Sequence, residues 1–228
     1  MVSAVGAYPR RVRIVAVADT HLFHGELDVP DGDVLVHAGD LCRGGELDEL
    51  REAAMWLAAL PHRHKVIVAG NHDWAFVREP EAARAAVAGM VYLQDREATI
   101  DGLRFYGSPW QPAFHDWAFN LPRGPELAAV WAEIPHGLDV LVTHSPPDGI
   151  GDATPVGGRA GCAELASRVA TVRPRLHLFG HIHQDGGLWV RDGVVSANVT
   201  TWECERAPTV IDIDRETVTA IRVPPPGR

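Results

Sequence analysis

Cysteine is scarce in this sequence: three residues in 228, Cys42, Cys162 and Cys204. A small, odd number supplies no disulfide framework and points to a reducing compartment. Long hydrophobic runs are missing too. The apolar run 14–18 stops at Asp19, far short of the roughly 20 residues of a membrane span. Arg10, Arg11 and Arg13 break up the start of the chain and leave no room for the apolar core of a secretory signal. These absences make a cytoplasmic location, with no membrane partner, the expectation. Positive charge is in short supply as well. Lys plus Arg number 21 against 30 Asp plus Glu, a formal charge of −9, which argues against holding extended nucleic acid on a broad basic face. A small phosphorylated substrate remains compatible, because carboxylates and imidazoles that gather divalent cations reverse the local sign.

What is present is ordinary in bulk, with 46% apolar and 22% charged residues, the composition of a globular protein. The length suggests one domain over residues 1–228, with a core over about 12–214. No repeat or linker divides it, and the proline-rich tail 224–228 is expected to fray. Histidine is the exception: 12 residues, in a chain whose neutral imidazoles are available as metal ligands.

The first part of the chain alternates strand and helix. Apolar β-branched runs at 12–18, 34–38 and 65–69 alternate with helical spacing at 46–60 and 81–88, which argues for an α/β sheet with crossover helices. Further on, strands are expected at 103–106, 140–143 and 176–179 and helices at 126–131 and 163–172. The segment 107–112 is expected to be irregular because of its two prolines. The closely spaced runs at 188–190, 194–197, 210–213 and 218–223 suggest a mostly antiparallel finish. Five of these strands end in polar clusters: Asp19 with His21, Asp40, Asn71 with His72 and Asp73, His144, and His181 with His183. In open α/β sheets ligands bind at the carboxyl ends of strands, so these side chains are expected to converge on one rim.

Asp19, His21, Asp40, Asn71, His144, His181 and His183 form a donor set of oxygens and imidazole nitrogens without a thiolate. Seven donors are too many for one tetrahedral ion and suit two divalent ions that share a carboxylate. The mixed nitrogen and oxygen character favours Mn, Fe or Zn over Mg or Ca. Taken singly, each residue has an ordinary reading. Asp40 suits a turn or an N-cap, Asn71 a left-handed turn, and His144 a buried histidine bonded to backbone. It is their joint occurrence at successive strand ends that carries the inference.

The series Asp19-x-His21, Gly39-Asp40, Gly70-Asn71-His72-Asp73, His144 and Gly180-His181-x-His183 resembles the calcineurin-like metallophosphoesterase superfamily. Leu60-Pro61-His62-x-His64-Lys65, Gly107-Ser108-Pro109-Trp110-Gln111-Pro112, Trp117-Ala118-Phe119-Asn120-Leu121-Pro122, Thr143-His144-Ser145-Pro146-Pro147 and Arg173-Pro174-Arg175-Leu176-His177 resemble its small MPPED-type (UPF0046) members. The resemblance implies a four-layer αββα sandwich of two mixed β-sheets flanked by helices. It implies one metal on Asp19, His21, Asp40 and His183 and a second on Asp40, Asn71, His144 and His181, with Asp40 bridging. It further implies in-line attack on a phosphate ester by a metal-bridging hydroxide. His72 would bind phosphate and protonate the leaving oxygen, and Asp73 would orient His72. A phosphodiesterase acting on small, cyclic nucleotides is the implied activity. A phosphomonoesterase using the same site is the rival, and a non-catalytic metal- or nucleotide-binding scaffold is the rival from another class.

Other residues carry weaker expectations. Asn71, His72 and Arg43 are candidates for the substrate phosphate, Arg43 as a bidentate donor. Asn198 is expected to support a ligand from behind. Cys42 is expected to be structural. Trp110, Phe114, Trp117 and Phe119 offer faces for a nucleobase, but loop packing is the favoured expectation for this aromatic segment. The oligomeric state is left open.

Overall fold

In a computed structural model, which describes residues 11–225, strand β1 (Val12–Val17) is followed by β2 (Val34–Ala38), helix α1 (Leu47–Ala59), β3 (His64–Val68), helices α2 (Ala75–Arg78) and α3 (Pro80–Ala86), and β4 (Val91–Tyr92). Strands β5 (Arg96–Ile100) and β6 (Leu103–Ser108) form a hairpin. The short β7 (Gln111–Pro112) and β8 (Asn120–Leu121) precede helix α4 (Pro125–Ala132) and β9 (Val140–Thr143). The rest comprises α5 (Ala163–Val172), β10 (Leu176–Phe179), β11 (Gly187–Arg191), β12 (Val194–Asn198), β13 (Thr209–Ile213) and β14 (Val218–Arg222).

Two six-stranded sheets result, ordered β14-β13-β1-β2-β3-β4 and β11-β12-β10-β9-β6-β5. Each has four parallel strands, β1 to β4 in one and β6, β9, β10 and β12 in the other, bordered by antiparallel ones. Side chains alternate across each strand. Ile14, Ala16, Val36, Phe105, Val142 and Leu178 point into one core between the sheets. Val15, Leu35 and Ile67 pack outward under α1 to α3. Tyr106 and Leu141 pack outward with Trp131, Leu165 and Val169 of α4 and α5. The four layers implied by the resemblance are therefore present, and the buried parallel strands explain why they read as continuous apolar runs.

Two expectations need correction. The segment 107–112 is partly regular: β6 runs through Gly107, where a Cβ would collide with Val68 and Leu93, and Gln111–Pro112 pair in parallel with Asn120–Leu121. Proline is tolerated there because the pairing is short and lies outside the main sheets. The finish is mostly antiparallel as expected: β11 pairs antiparallel with β12, and β13 with both β14 and β1, while β12 alone of these lies parallel to a neighbour, β10. The tail is held at its start: buried Arg206 donates to the carbonyls of Thr200, Pro224 and Pro225, while Pro226, Gly227 and Arg228 lie outside the described residues. No helix among the described residues is long and apolar enough to cross a membrane.

Phe105, fully buried between the sheets, tests this core. Phe105→Ala is expected to lower unfolding free energy by about 3–5 kcal/mol, measured as a fall in the urea midpoint at unchanged m-value.

Candidate metal centre

The carboxyl ends of the parallel strands of both sheets meet at one rim. Asp19 follows β1, Asp40 follows β2, Asn71 to Asp73 follow β3, His144 follows β9, and His181 follows β10. Backbone contacts stitch the two sheets together there: Ala18 bridges Thr200, and the His181 amide donates to the Asp19 carboxylate at 3.1 Å. Asp19, His21, Asp40 and His181 all have left-handed backbones, with φ of 57°, 42°, 58° and 71°. Non-glycine residues take that conformation at a cost, and such strain gathers at functional sites. Gly39 before Asp40 has φ of 101°, and a Cβ there would run into the His144 ring.

Donor atoms collect in three overlapping groups whose ligand atoms lie within 4.8 Å of one another: Asp19, His21 and His183; His21, Asp40 and His72; and Asp40, His144 and His181. The outer two contain residues that the family resemblance assigns to separate ions, and the middle one brings His72 beside them. Asp40 Oδ2 lies 3.8 Å from His21 Nε2 and 3.4 Å from His144 Nε2. Asn71 Oδ1 lies 2.9 Å from His144 Nε2, and His183 Nε2 lies 3.7 Å from Asp19 Oδ1. All seven candidate ligands therefore belong to one cluster.

The chemistry of the set fits divalent cations. His21 Nδ1 donates to the Cys42 carbonyl at 3.0 Å and His144 Nδ1 to the Ala38 carbonyl at 2.9 Å, which leaves both Nε2 lone pairs facing the cluster. His21 Nε2 and His183 Nε2 face each other at 3.5 Å, an arrangement of two acceptors that suits a shared cation. Burial disfavours a charge on His144, but the Asp40 carboxylate outweighs it and raises the His144 pKa to about 9. Burial likewise opposes ionisation of Asp40, yet His144, His21 and His72 hold its pKa well below the carboxylate range. Ligation needs neutral imidazole, so metal and proton compete for His144.

Asp73 does not orient His72. Its carboxylate accepts from the backbone amides of Gly70, Asp40 and Cys42 at 2.7–3.0 Å. It thus fixes the loop after β2 against the loop after β3. Burial and the neighbouring Asp40 charge push its pKa up against those amides. The His72 ring instead donates from Nδ1 to the Arg43 carbonyl at 2.6 Å, which turns Nε2 free. Its backbone amide donates to Asp40 Oδ1.

Arg43 stands at the rim, but its Nε donates to the His21 carbonyl and its guanidinium lies 3.9 Å above the Phe23 ring. Asn198 holds the loop between the last two histidines, donating to Ile182 O at 2.8 Å and Gly151 O at 3.1 Å. Cys42 is fully buried, and burial pushes its thiol pKa up. The aromatic segment divides. Trp110 donates to Asp95 and meets Phe119 edge-on, which is packing, and Phe114 is exposed. Trp117 lies against the His72 ring with centroids 4.1 Å apart.

Two pairs escaped sequence reading. His37 Nε2 meets Thr20 Oγ1 at 3.0 Å, and His177 Nε2 meets Thr143 Oγ1 at 2.9 Å. Each is a fully buried imidazole on the helix-covered face of its sheet, locking the residue next to a candidate ligand. Neither belongs to the candidate donor set, and the only sequence signal is their outward position on an apolar strand. A turn at Trp202, Glu203 and Cys204, all left-handed, also closes on the site, with the Glu203 amide donating to Asp19 O.

Residues 12–185 match the family model described as calcineurin-like phosphoesterase. Metallophosphoesterase domain-containing protein 1 of Homo sapiens is 40% identical over 235 residues, covering 90% of this chain and 72% of its own length. UPF0046 protein C25E10.12 of Caenorhabditis elegans is 36% identical over 203 residues, covering 79% of this chain and 72% of its own. The solved structure of TT1561 from Thermus thermophilus shares the fold at a TM-score of 0.61 and 16% identity, over 92% of this chain and 98% of its own.

Burial lowers the pKa of both His37 and His177 to about 3, against about 6.5 in an unfolded chain. Above pH 6.5 neither state is protonated. As pH falls below 6.5 the unfolded chain takes up protons that the folded one refuses, so stability drops until pH approaches 3. Each histidine is expected to cost about 2 kcal/mol at pH 5. Urea unfolding of metal-free protein at pH 7.5 and 5.0 checks this, and His177→Gln should show a smaller acid loss than wild type.

Proposed function

The chain belongs to the calcineurin-like phosphoesterase family, a family of metal-dependent phosphoester hydrolases, and from that premise we propose that it is a dinuclear phosphodiesterase acting on small nucleotides. The observation that carries this reading is the single cluster of four imidazoles, two carboxylates and a carboxamide at the shared rim. Asp19, His21, Asp40 and His183 would hold one ion and Asp40, Asn71, His144 and His181 the other. Such ions supply positive charge to a phosphate and acidify water at neutral pH.

The side chains of this protein do the rest. His72 stands beside the donor cluster with Nδ1 anchored on a carbonyl, so Nε2 is the atom that meets the ester. Protonated there, it donates to the leaving oxygen, and its proton matters most for a poor leaving group such as a ribose alkoxide. The Asn71 carboxamide and His72 flank the phosphate. Arg43, tied to the His21 carbonyl and Phe23, steadies the rim and offers its outer nitrogens to the phosphate. A diester carries one negative charge less than a monoester, and one such partly committed arginine is in keeping with the lower charge.

Chelator-treated protein is expected to be inactive and Mn to restore it. Bis-p-nitrophenyl phosphate should turn over faster than p-nitrophenyl phosphate. The reverse order would make the protein a phosphomonoesterase, and no turnover of either with two ions bound would make it a scaffold. Elemental analysis should find both ions lost in Asp40→Ala and mainly one lost in His144→Ala. His72→Ala should keep its metals and lose about 10²–10⁴ in kcat on an alkyl diester, with a smaller loss on p-nitrophenyl esters.

A further inference from the structure

His72 is half-buried on a loop at the rim, and its hydrogen bond to the Arg43 carbonyl fixes one ring nitrogen but still permits the ring to tilt about that bond. Two more contacts remove this freedom. The ring meets that of His21 edge to face, with centroids 4.7 Å apart and planes at 77°. Its face lies on the Trp117 indole, with centroids 4.1 Å apart and planes at 32°.

The segment that brings Trp117 there is built to a fixed shape. The Gln111 amide donates to Phe119 O and the Ala113 amide to Leu121 O. The Asn120 side chain donates to the carbonyls of Phe114 and His115, and Gln111 Nε2 donates to Asn120 Oδ1. The Ala118 amide, next to Trp117, donates to Asn71 O at 3.1 Å. The indole is therefore docked by backbone onto the residue that precedes His72. One face of Trp117 is committed to an imidazole, not to an open cleft.

We propose that Trp117 is the positioning residue that holds the His72 ring in the orientation for proton donation, a role that rests on the function proposed for His72. The ring contact of the indole is with His72, on the face that an open cleft would need. Its effect should therefore pass entirely through His72.

The test is a double-mutant cycle on the metal-loaded protein with an alkyl and a p-nitrophenyl diester. Trp117→Ala should keep two ions and lower kcat on the alkyl diester about tenfold with little change in KM. The loss should be smaller on the p-nitrophenyl ester, and Trp117→Phe should restore most of it. In a His72→Ala background, Trp117→Ala should change kcat less than about twofold, since residues acting as a unit are non-additive. In metal-free protein, the His72 Hε1 resonance, identified by its loss in His72→Ala, should lie upfield and move downfield in Trp117→Ala. Equal losses in both backgrounds, or a rise in KM for nucleotides alone, would overturn the proposal and make Trp117 a substrate contact. Metal loss in Trp117→Ala and Trp117→Phe alike would make it a support of Asn71 instead. If His72→Ala itself shows no leaving-group dependence, the acid role of His72 fails, and the resonance shift still reports separately whether the stack exists.

Discussion

Asp40 and His144 come from different sheets, and their side chains meet at 3.4 Å. That approach is possible only because the two sheets pack face to face with the carboxyl ends of their parallel strands on the same rim. The apolar layer between them, with Ile14, Val36, Phe105 and Leu178 fully buried, sets their separation. Glycine at position 39 lets the backbone come close enough to touch the His144 ring. A slip of either sheet by one strand position would carry half of the donor cluster away from the other half.

Around that meeting point the protein spends backbone conformation and buried polar groups to hold the donors still. Left-handed residues at Asp19, His21, Asp40 and His181 turn their side chains off the strand axes and into the rim. Carbonyls of Cys42 and Ala38 occupy the Nδ1 atoms of His21 and His144, so the Nε2 atoms point inward. Asp73 gathers three amides from two loops. An unpaired buried carboxylate would be costly, and here each oxygen is satisfied by backbone. One layer out, His37 and His177 each bond a threonine hydroxyl, Thr20 and Thr143, one under each sheet.

The imidazole proposed as proton donor and the candidate ligands thereby draw on different ring contacts. Among the candidate ligands, the rings of His21 and His144 are fixed by backbone carbonyls and the carboxylates of Asp19 and Asp40 by backbone amides. His72 is fixed by the carbonyl of Arg43 from the loop after β2 and by Trp117 from the segment between β7 and β8. The ring can thus be held at the cluster without being part of it.

Much of this was legible in the sequence. Runs such as 12–17 and 34–38 alternate or fill with apolar side chains, and the polar residues that end them mark a shared rim, so an α/β sheet and the seven candidate donors could be read from local pattern and residue type, while the four layers were implied by the family resemblance. The loop at Asp73, the aromatic Trp117 and the paired threonines and histidines could not. Strand periodicity and donor chemistry are properties of a few consecutive residues. Which carbonyl an imidazole finds, and which indole lies on it, depends on loops far apart in the chain. Those loops meet only after the sheets have packed, in backbone conformations that non-glycine residues adopt only when tertiary contacts hold them there.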